Sequence, residues 1–196
     1  VLQLINVMSS HHIVREKQEP ALLVLGLDNF DEELLGQLLE WSPTVITTPQ
    51  TAEKLNSLGI KIDWIITDNA GGIEQSDVKI MAANGNSPFD AAMEHLARHG
   101  YPSVNIVTDE LNLNNYLPYT NQINLVIFNN GKRIFPIAPG FSKWKPAGEV
   151  IEILSTVSDI QSAGLSKIDD NHFQTIRDGI FSLGFNAPFI FIAEDL

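Results

Sequence analysis

The N-terminal part of the chain alternates short apolar segments with amphipathic ones, a pattern that predicts strands alternating with helices. The apolar segments are rich in aliphatic and β-branched residues and lie at 21–25, 44–47, 63–67 and 104–107. Apolar residues at helical spacing lie between them. This alternation favours an α/β fold with a mostly parallel sheet and flanking helices.

Three of the intervening segments carry the signals of helix ends. Asp31 can cap the first helix. The apolar face of that helix would comprise Leu34, Leu35, Leu38, Leu39 and Trp41. A second helix is predicted over Thr51–Leu58, where Gly59 ends it. The third follows Ser87-Pro88-Phe89-Asp90, which combines a capping serine, a proline at the first helical position and an acidic residue three positions after the cap.

The rhythm changes after about residue 120, where short strand candidates follow one another without long helices. They lie at 125–128, 133–137, 150–154, 179–183 and 189–193. Asn129-Asn130-Gly131 separates the first two and is typical of a tight hairpin turn. We therefore predict two domains. One is an α/β domain over 8–118, and the other is a small all-β domain, sandwich-like or jelly-roll-like, over 119–196.

Composition narrows the classes of function. Twelve Lys and Arg stand against 24 Asp and Glu, a formal net charge of −12, which disfavours nucleic acids and anionic membranes as partners. Cysteine is absent, which excludes disulfides, a thiolate nucleophile and a cysteine-ligated zinc. No apolar run approaches the ~20 residues that span a bilayer, and no signal-peptide pattern is present, so we expect a cytoplasmic protein.

Several segments resemble bacterial members of the thiamine pyrophosphokinase family, in the order in which that family has them. They are Met8–Arg15, Leu34–Pro43, Leu58–Asp63 and Phe141–Gly148. The resemblance extends from about residue 8 to the end of the chain. Such enzymes transfer a pyrophosphoryl group from Mg-ATP to thiamine, and family dimers place their thiamine sites in the β half. The resemblance therefore implies a homodimer, with Mg²⁺ and ATP as cofactors if the protein is active.

The family's magnesium ligands are mostly missing from this chain. Where the family has Gly-Asp-x-Asp-Ser, this chain retains Asp68 but has Ala70. An Asp-Gly pair of the family falls on Pro49-Gln50, and the Asp and Lys near the third helix become Pro88 and Ala91. Because Mg²⁺ is commonly held by carboxylates together with substrate phosphates, the resemblance implies a kinase fold that has lost its reaction.

Candidate residues of the nucleotide cleft follow the predicted strands and open the third helix. They are Asp68, Asn69, Gly71, Gly72, Asn86, Ser87, Asp90 and Asp109. Asp68 is either a vestigial metal ligand or, as we favour, a turn residue that bonds backbone N–H groups. For Ser87 and Asp90 we favour helix capping over a place in the cleft.

The remaining cleft candidates also have two interpretations. Gly71-Gly72 either admits a phosphate close to the backbone or serves a loop that needs positive φ, and we favour the loop. Asp109-Glu110 is either a pair of metal-binding carboxylates or the acidic start of a helix, and we favour the helix start.

Trp144 is the candidate on the thiamine side of the cleft. It lies between Lys143 and Lys145, where an aromatic ring can stack on a ligand, although a buried packing role is the interpretation we favour. His11-His12 suggests a metal site only weakly, because no third ligand is near in the sequence. The other histidines form no recognisable motif.

These observations lead to one functional hypothesis with two alternatives. The hypothesis is a catalytically degenerate paralogue of thiamine pyrophosphokinase, kept for binding or regulation. The first alternative is an active kinase in which carboxylates such as Asp90 or Asp109 replace the missing ones. The second is a binding module for another small ligand in the remodelled cleft. Under the main hypothesis the expected small-molecule ligand is thiamine or a nucleotide.

Overall fold

The computed structural model describes residues 20–69 and 77–196. The strands are β1 Ala21–Val24, β2 Val45–Thr47, β3 Trp64–Ile66, β4 Lys79–Met81, β5 Ser103–Val107, β6 Asn124–Asn129, β7 Lys132–Ile137, β8 Phe141–Lys145, β9 Val150–Ile153, β10 Gln161–Ala163, β11 Leu165–Lys167, β12 His172–Thr175, β13 Gly179–Gly184 and β14 Ile190–Asp195. The helices are α1 Glu32–Leu39, α2 Pro49–Ser57, α3 Pro88–Arg98 and α4 Leu113–Tyr116, and a 3₁₀ turn follows at Leu117–Tyr119.

Most of these strands belong to one large sheet with a parallel half and an antiparallel half. The described strands lie in the order β11-β12-β9-β14-β7-β6-β5-β1-β2-β3-β4. Pairing is parallel from β6 to β4. From β6 to β11 it is antiparallel. The smaller sheet, β10-β13-β8, is antiparallel throughout.

Among the described residues, three apolar cores hold these layers together. On one face of the parallel half, α1 and α2 pack through Leu35, Ala52 and Leu55. On the other face α3 packs through Met93 and Leu96. The third core lies between the antiparallel half and the three-stranded sheet. The predicted α/β fold with a β sandwich is therefore confirmed.

The helix starts follow the capping signals closely. Asp31 accepts the N–H of Leu34 at 2.9 Å and caps α1 as predicted. The second helix begins earlier than predicted, because Thr48 caps it and Pro49 takes its first position. Trp41 was wrongly placed on the apolar face of α1. The helix ends at Leu39, so Trp41 lies beyond it and is 70% exposed.

The predicted strands are confirmed, but the described part of the chain contains five strands that were not predicted. The unpredicted strands are β4, β8, β10, β11 and β12. The large sheet includes strands from both sides of residue 119, because β6 pairs with β5 on one side and with β7 on the other. The division into domains at 118 and 119 stays a prediction. No helix among the described residues has the length and apolar character to cross a membrane.

Candidate site at the carboxyl ends of the parallel strands

The order of the parallel strands defines where a ligand site is expected. The chain proceeds from β1 through β2 and β3 to β4 on one side, and then returns to place β5 on the other side of β1. Ligands of open α/β sheets bind at the carboxyl ends of the strands, at the point where the direction reverses. Here that point lies between the loop after β1, which begins at Leu25, and the loop after β5, which begins at Thr108.

Asp109 occupies this switch point with its own carboxylate. Both oxygens accept the backbone N–H of Asp28, at 3.1 Å each. Asn29 donates its N–H to Oδ1 at 3.4 Å. Gly26 makes the approach possible, because a Cβ there would collide with the carboxylate and would lie 2.9 Å from the Asp109 nitrogen. The Asp109 carboxylate therefore accepts the backbone N–H groups at the place where the anionic group of a ligand is expected to bind.

The favoured sequence interpretation of Asp109 is wrong. α4 begins only at Leu113 and is capped by Asn112, whose Oδ1 accepts the Asn114 N–H at 3.2 Å. Asp109 and Glu110 therefore precede the helix and do not form its acidic first turn. Instead Thr108 closes a short turn by accepting the Glu110 N–H at 3.2 Å, which leaves the Asp109 side chain directed to the β1 loop.

A cation that sequence reasoning missed also lies at the β1 loop. Lys54 extends from α2 and donates to the carbonyl oxygen of Leu27 at 2.6 Å. Its ammonium is 4.0 Å from the Asp28 carboxylate, in a pair that is largely exposed. A lysine on a helix gives no sequence signal of the loop it will reach. The β1 loop thus has a cation beside it, but that cation is bonded to the loop itself.

Asp68 binds a neighbouring loop in a similar way. It follows β3 and accepts the N–H of Asn84 at 2.9 Å and that of Gly85 at 3.4 Å. The hydrogen bond from Asn84 lowers the pKa of Asp68. The favoured interpretation, a turn residue that bonds backbone N–H groups, is wrong about the turn: Asp68 does bond backbone N–H groups, but they belong to the β4–α3 loop, 16 and 17 positions along the chain.

Asn69 and Asn86 take part in local turns. The backbone N–H of Asn69 donates to Thr67 Oγ1 at 3.0 Å, and the Thr67 hydroxyl donates to the Asn69 carbonyl at the same distance. Asn86 donates its N–H to the carbonyl of Ala83 at 3.0 Å. Gly71, Gly72 and His11-His12 lie outside the described residues.

Ser87 caps α3, as predicted, and Asp90 lies in the first turn of that helix. Ser87 Oγ accepts the Asp90 N–H at 3.1 Å and donates to Asp90 Oδ2 at 2.6 Å. The Tyr119 hydroxyl donates to the other carboxylate oxygen at 3.4 Å. Burial, followed by the charge of Asp90, raises the pKa of Tyr119. Both oxygens of Asp90 are therefore engaged within the protein.

The described carboxylates do not converge on one point. Asp109 lies over β1, and Asp68 follows β3, two strand spacings or ~10 Å along the sheet. Among the described residues, no group of three His, Cys, Asp or Glu is arranged to hold a metal ion. A magnesium centre built from Asp68, Asp90 and Asp109 would require each of them to leave its present hydrogen bonds.

Trp144 lies far from these loops, on the outer face of the three-stranded sheet. It pairs in register with Ile180, and the two residues are 61% and 71% exposed. The favoured interpretation of Trp144 as a buried packing residue is therefore wrong. Lys143 and Lys145 point the other way, towards Glu194 of the large sheet, and strand alternation then directs Trp144 outwards.

The fold defines a class of protein in which an open α/β sheet continues into an antiparallel sandwich. Solved structures of this class include thiamine pyrophosphokinase from Bacillus subtilis, which is 14% identical to this chain. The match covers 90% of this chain and 99% of that one, with a TM-score of 0.67. Thiamin pyrophosphokinase from Candida albicans is 9% identical over 91% of this chain and 89% of its own, with a TM-score of 0.69.

The yeast enzyme of the same name also matches, with 10% identity, coverage of 92% and 87%, and a TM-score of 0.61. The chain therefore has the thiamine pyrophosphokinase fold, as the sequence resemblance implied. No protein-family model matches the sequence, and no curated protein matches it significantly. Because a shared fold does not determine activity, the function has to be argued from the site.

Proposed function

We propose that this protein is a catalytically degenerate member of the thiamine pyrophosphokinase family, retained for binding or regulation. The observation that carries the proposal is the Asp109 carboxylate at the switch point, bonded to the N–H groups of Asp28 and Asn29. A bound phosphate would have to displace it from the same donors. The site thus resists the ligand that the reaction requires.

Magnesium chemistry supports the same proposal. The ion takes oxygen ligands in a near-octahedral arrangement and loses its water reluctantly, so it needs carboxylates placed together. Asp68 accepts the N–H groups of Asn84 and Gly85, and Asp109 accepts N–H groups of the β1 loop. Removing one preorganised group that stabilises transition-state charge typically costs ~10²–10³ in rate. With several such groups replaced, we expect no measurable pyrophosphoryl transfer.

The free space near Asp68 also favours a degenerate site. A cavity of about 100 Å³ lies beside the β4–α3 loop and is lined by Asn84, Asn86 and Glu94, among others. Pockets that hold small molecules usually measure ~300–1,000 Å³. This cavity is too small for a nucleotide.

The test is turnover of purified protein with thiamine and Mg-ATP, with thiamine diphosphate and AMP measured by chromatography. An active thiamine pyrophosphokinase serves as the positive control, and the Asp68→Ala variant identifies activity that belongs to this chain. We expect no product above the blank. Turnover that Asp68→Ala abolishes would refute the proposal and favour an active kinase with relocated ligands.

The proposed role also includes binding and assembly. We propose a cytoplasmic homodimer that uses the outer face of the three-stranded sheet, where Trp144 and Ile180 form an exposed apolar pair. Isolated exposed apolar residues are common, but two large ones opposed across strands are a candidate contact.

Thiamine and nucleotides are the first ligands to examine by thermal shift, and Trp144 is the ring on which thiamine would stack.

A further inference from the structure

Lysine and arginine side chains converge at one end of the β sandwich. Arg133 on β7 and Glu194 on β14 lie opposite each other in the large sheet. Lys143 and Lys145 reach the same carboxylate from β8 in the smaller sheet. The group therefore bridges the two sheets, and it includes three of the chain's 12 Lys and Arg.

Glu194 is the anion at the centre of this group, and its side chain is only 1% exposed. Arg133 Nη2 lies 2.6 Å from Oε2, and Lys143 Nζ lies 2.8 and 2.7 Å from the two oxygens. Lys145 Nζ is 3.4 Å from Oε2. A buried carboxylate requires partners of this kind, and hydrogen bonds to ionised groups are the strong ones.

The positive charge nevertheless exceeds the negative charge. Besides Glu194, the group includes Glu149, whose carboxylate is 3.3 Å from Lys145. Three cations thus face two carboxylates, a surplus of one positive charge in a protein whose formal net charge is −12. Burial lowers the pKa of Lys143, and repulsion by Arg133 and Lys145 adds to this. A further anion would relieve this repulsion between the cations.

The ring of Phe135 lies beside the cationic groups of Lys143 and Arg133. Its ring centroid is 5.3 Å from Lys143 Nζ and 5.9 Å from the Arg133 guanidinium carbon. Both side chains remain accessible, at 39% for Arg133 and 29% for Lys143. A guanidinium has five N–H donors and an ammonium has three, so their bonds to Glu194 leave donors that can face solvent.

We propose that Arg133, Lys143 and Lys145 form a binding site for a small multivalent oxyanion, such as a phosphate group, with Glu194 as its built-in counter-ion. The oxyanion binds at the accessible side of Arg133 and Lys143 and neutralises the surplus charge. The site is independent of the switch point and of any kinase activity. Its ligand is either inorganic phosphate or the phosphate of a larger molecule.

The matched pair of variants is Arg133→Met and Lys132→Met. They are neighbours on β7 and lose the same charge, but Lys132 bonds Glu152 and Asp195 and does not belong to the group. Isothermal titration with inorganic phosphate, at ionic strength held constant with NaCl, measures binding. We expect saturable binding by the wild type and by Lys132→Met, and at least ~10-fold weaker binding by Arg133→Met. Repeating the titration with AMP distinguishes free phosphate from a phosphate monoester.

A second measurement does not depend on the folding of a variant. Phosphate should shift the side-chain NMR resonances of Arg133 and Lys143 in the wild-type protein, while those of Lys132 and Lys167 stay unchanged. The proposal is overturned if phosphate has no effect beyond that of NaCl, or if it shifts the two pairs of resonances equally. Equal affinity of Arg133→Met and the wild type would overturn it as well.

Discussion

The contact between Gly26 and Asp109 allows a quantitative test of the geometry at the switch point. Asp109→Ala removes the carboxylate that accepts the N–H groups of Asp28 and Asn29. Hydrogen bonds to charged groups contribute ~1.5–3 kcal/mol each when they are well shielded. These bonds are exposed, so we take ~0.5–1 kcal/mol for each donor. The expected loss in the free energy of unfolding is therefore ~1–2 kcal/mol.

Gly26→Ala should disrupt the same hydrogen bonds by displacing the carboxylate that accepts them. The new Cβ would collide with the Asp109 carboxylate, which then has to move away from its donors. The Cβ would also lie 2.9 Å from the Asp109 nitrogen, a contact that persists when the side chain is removed. Overpacking of this kind typically costs ~1–3 kcal/mol. The total expected for Gly26→Ala is ~2–5 kcal/mol.

The double variant distinguishes a specific contact from general damage. If the carboxylate above Gly26 is what excludes a side chain there, Gly26→Ala should cost ~1–2 kcal/mol less in the Asp109→Ala background than in the wild type. Equilibrium unfolding in urea, followed by circular dichroism for the four proteins, measures this coupling. Gly36→Ala is the control, because a Cβ at that helical position meets nothing within 4 Å and should be neutral or stabilising. Additivity of the two substitutions within ~0.5 kcal/mol would refute the proposed geometry.

Three further predictions follow from other parts of the molecule. The double substitution Trp144→Lys and Ile180→Lys should convert a dimer to a monomer in light scattering without loss of folding, and an unchanged mass would exclude this face as the interface. Burial opposes ionisation of Glu194, but hydrogen bonds from cations outweigh it and hold its pKa below the ordinary 4.5. Its contribution to the free energy of unfolding is therefore fully present above its ordinary pKa and is lost as the pH falls through the lower pKa of the folded state. Glu194→Gln should therefore make the free energy of unfolding fall less steeply at acidic pH, and an unchanged pH dependence would contradict this. Ser87→Ala should cost ~1 kcal/mol through loss of the α3 cap, while Ser162→Ala on exposed β10 should cost less than ~0.5 kcal/mol.

The sequence predicted those elements whose signals are local. Asp31 and Ser87 cap their helices because the residues they bond lie three positions away in the chain. The hydrophobic strands were recognised because they are buried on both faces or in a sandwich core. β4 was missed for the opposite reason. It is three residues long, and Lys79 and Ile80 are exposed.

The site was less predictable because its contacts are distant in sequence. Asp109 bonds residues 81 and 80 positions away, and Asp68 bonds residues 16 and 17 positions away. Nothing near Asp109 in the sequence indicates that its partner is the loop after Leu25. The charge pattern around Trp144 was equally ambiguous. Flanking lysines are compatible with either face of a strand, and only the position of Glu194 determines which way they point.

The α/β half and the β half differ in whether cations are left over beside their carboxylates, and this difference decides where a phosphate would bind. At the carboxyl ends of the parallel strands, Asp68 and Asp109 accept backbone N–H groups of adjoining loops, and the nearby Lys54 donates to a carbonyl oxygen. An incoming phosphate would meet carboxylates there in place of free donors. At the end of the sandwich, cations outnumber the carboxylates that they contact. The long-range potential of a protein with net charge −12 repels anions, so an anion site needs a local surplus of cations, and that surplus lies in the β half.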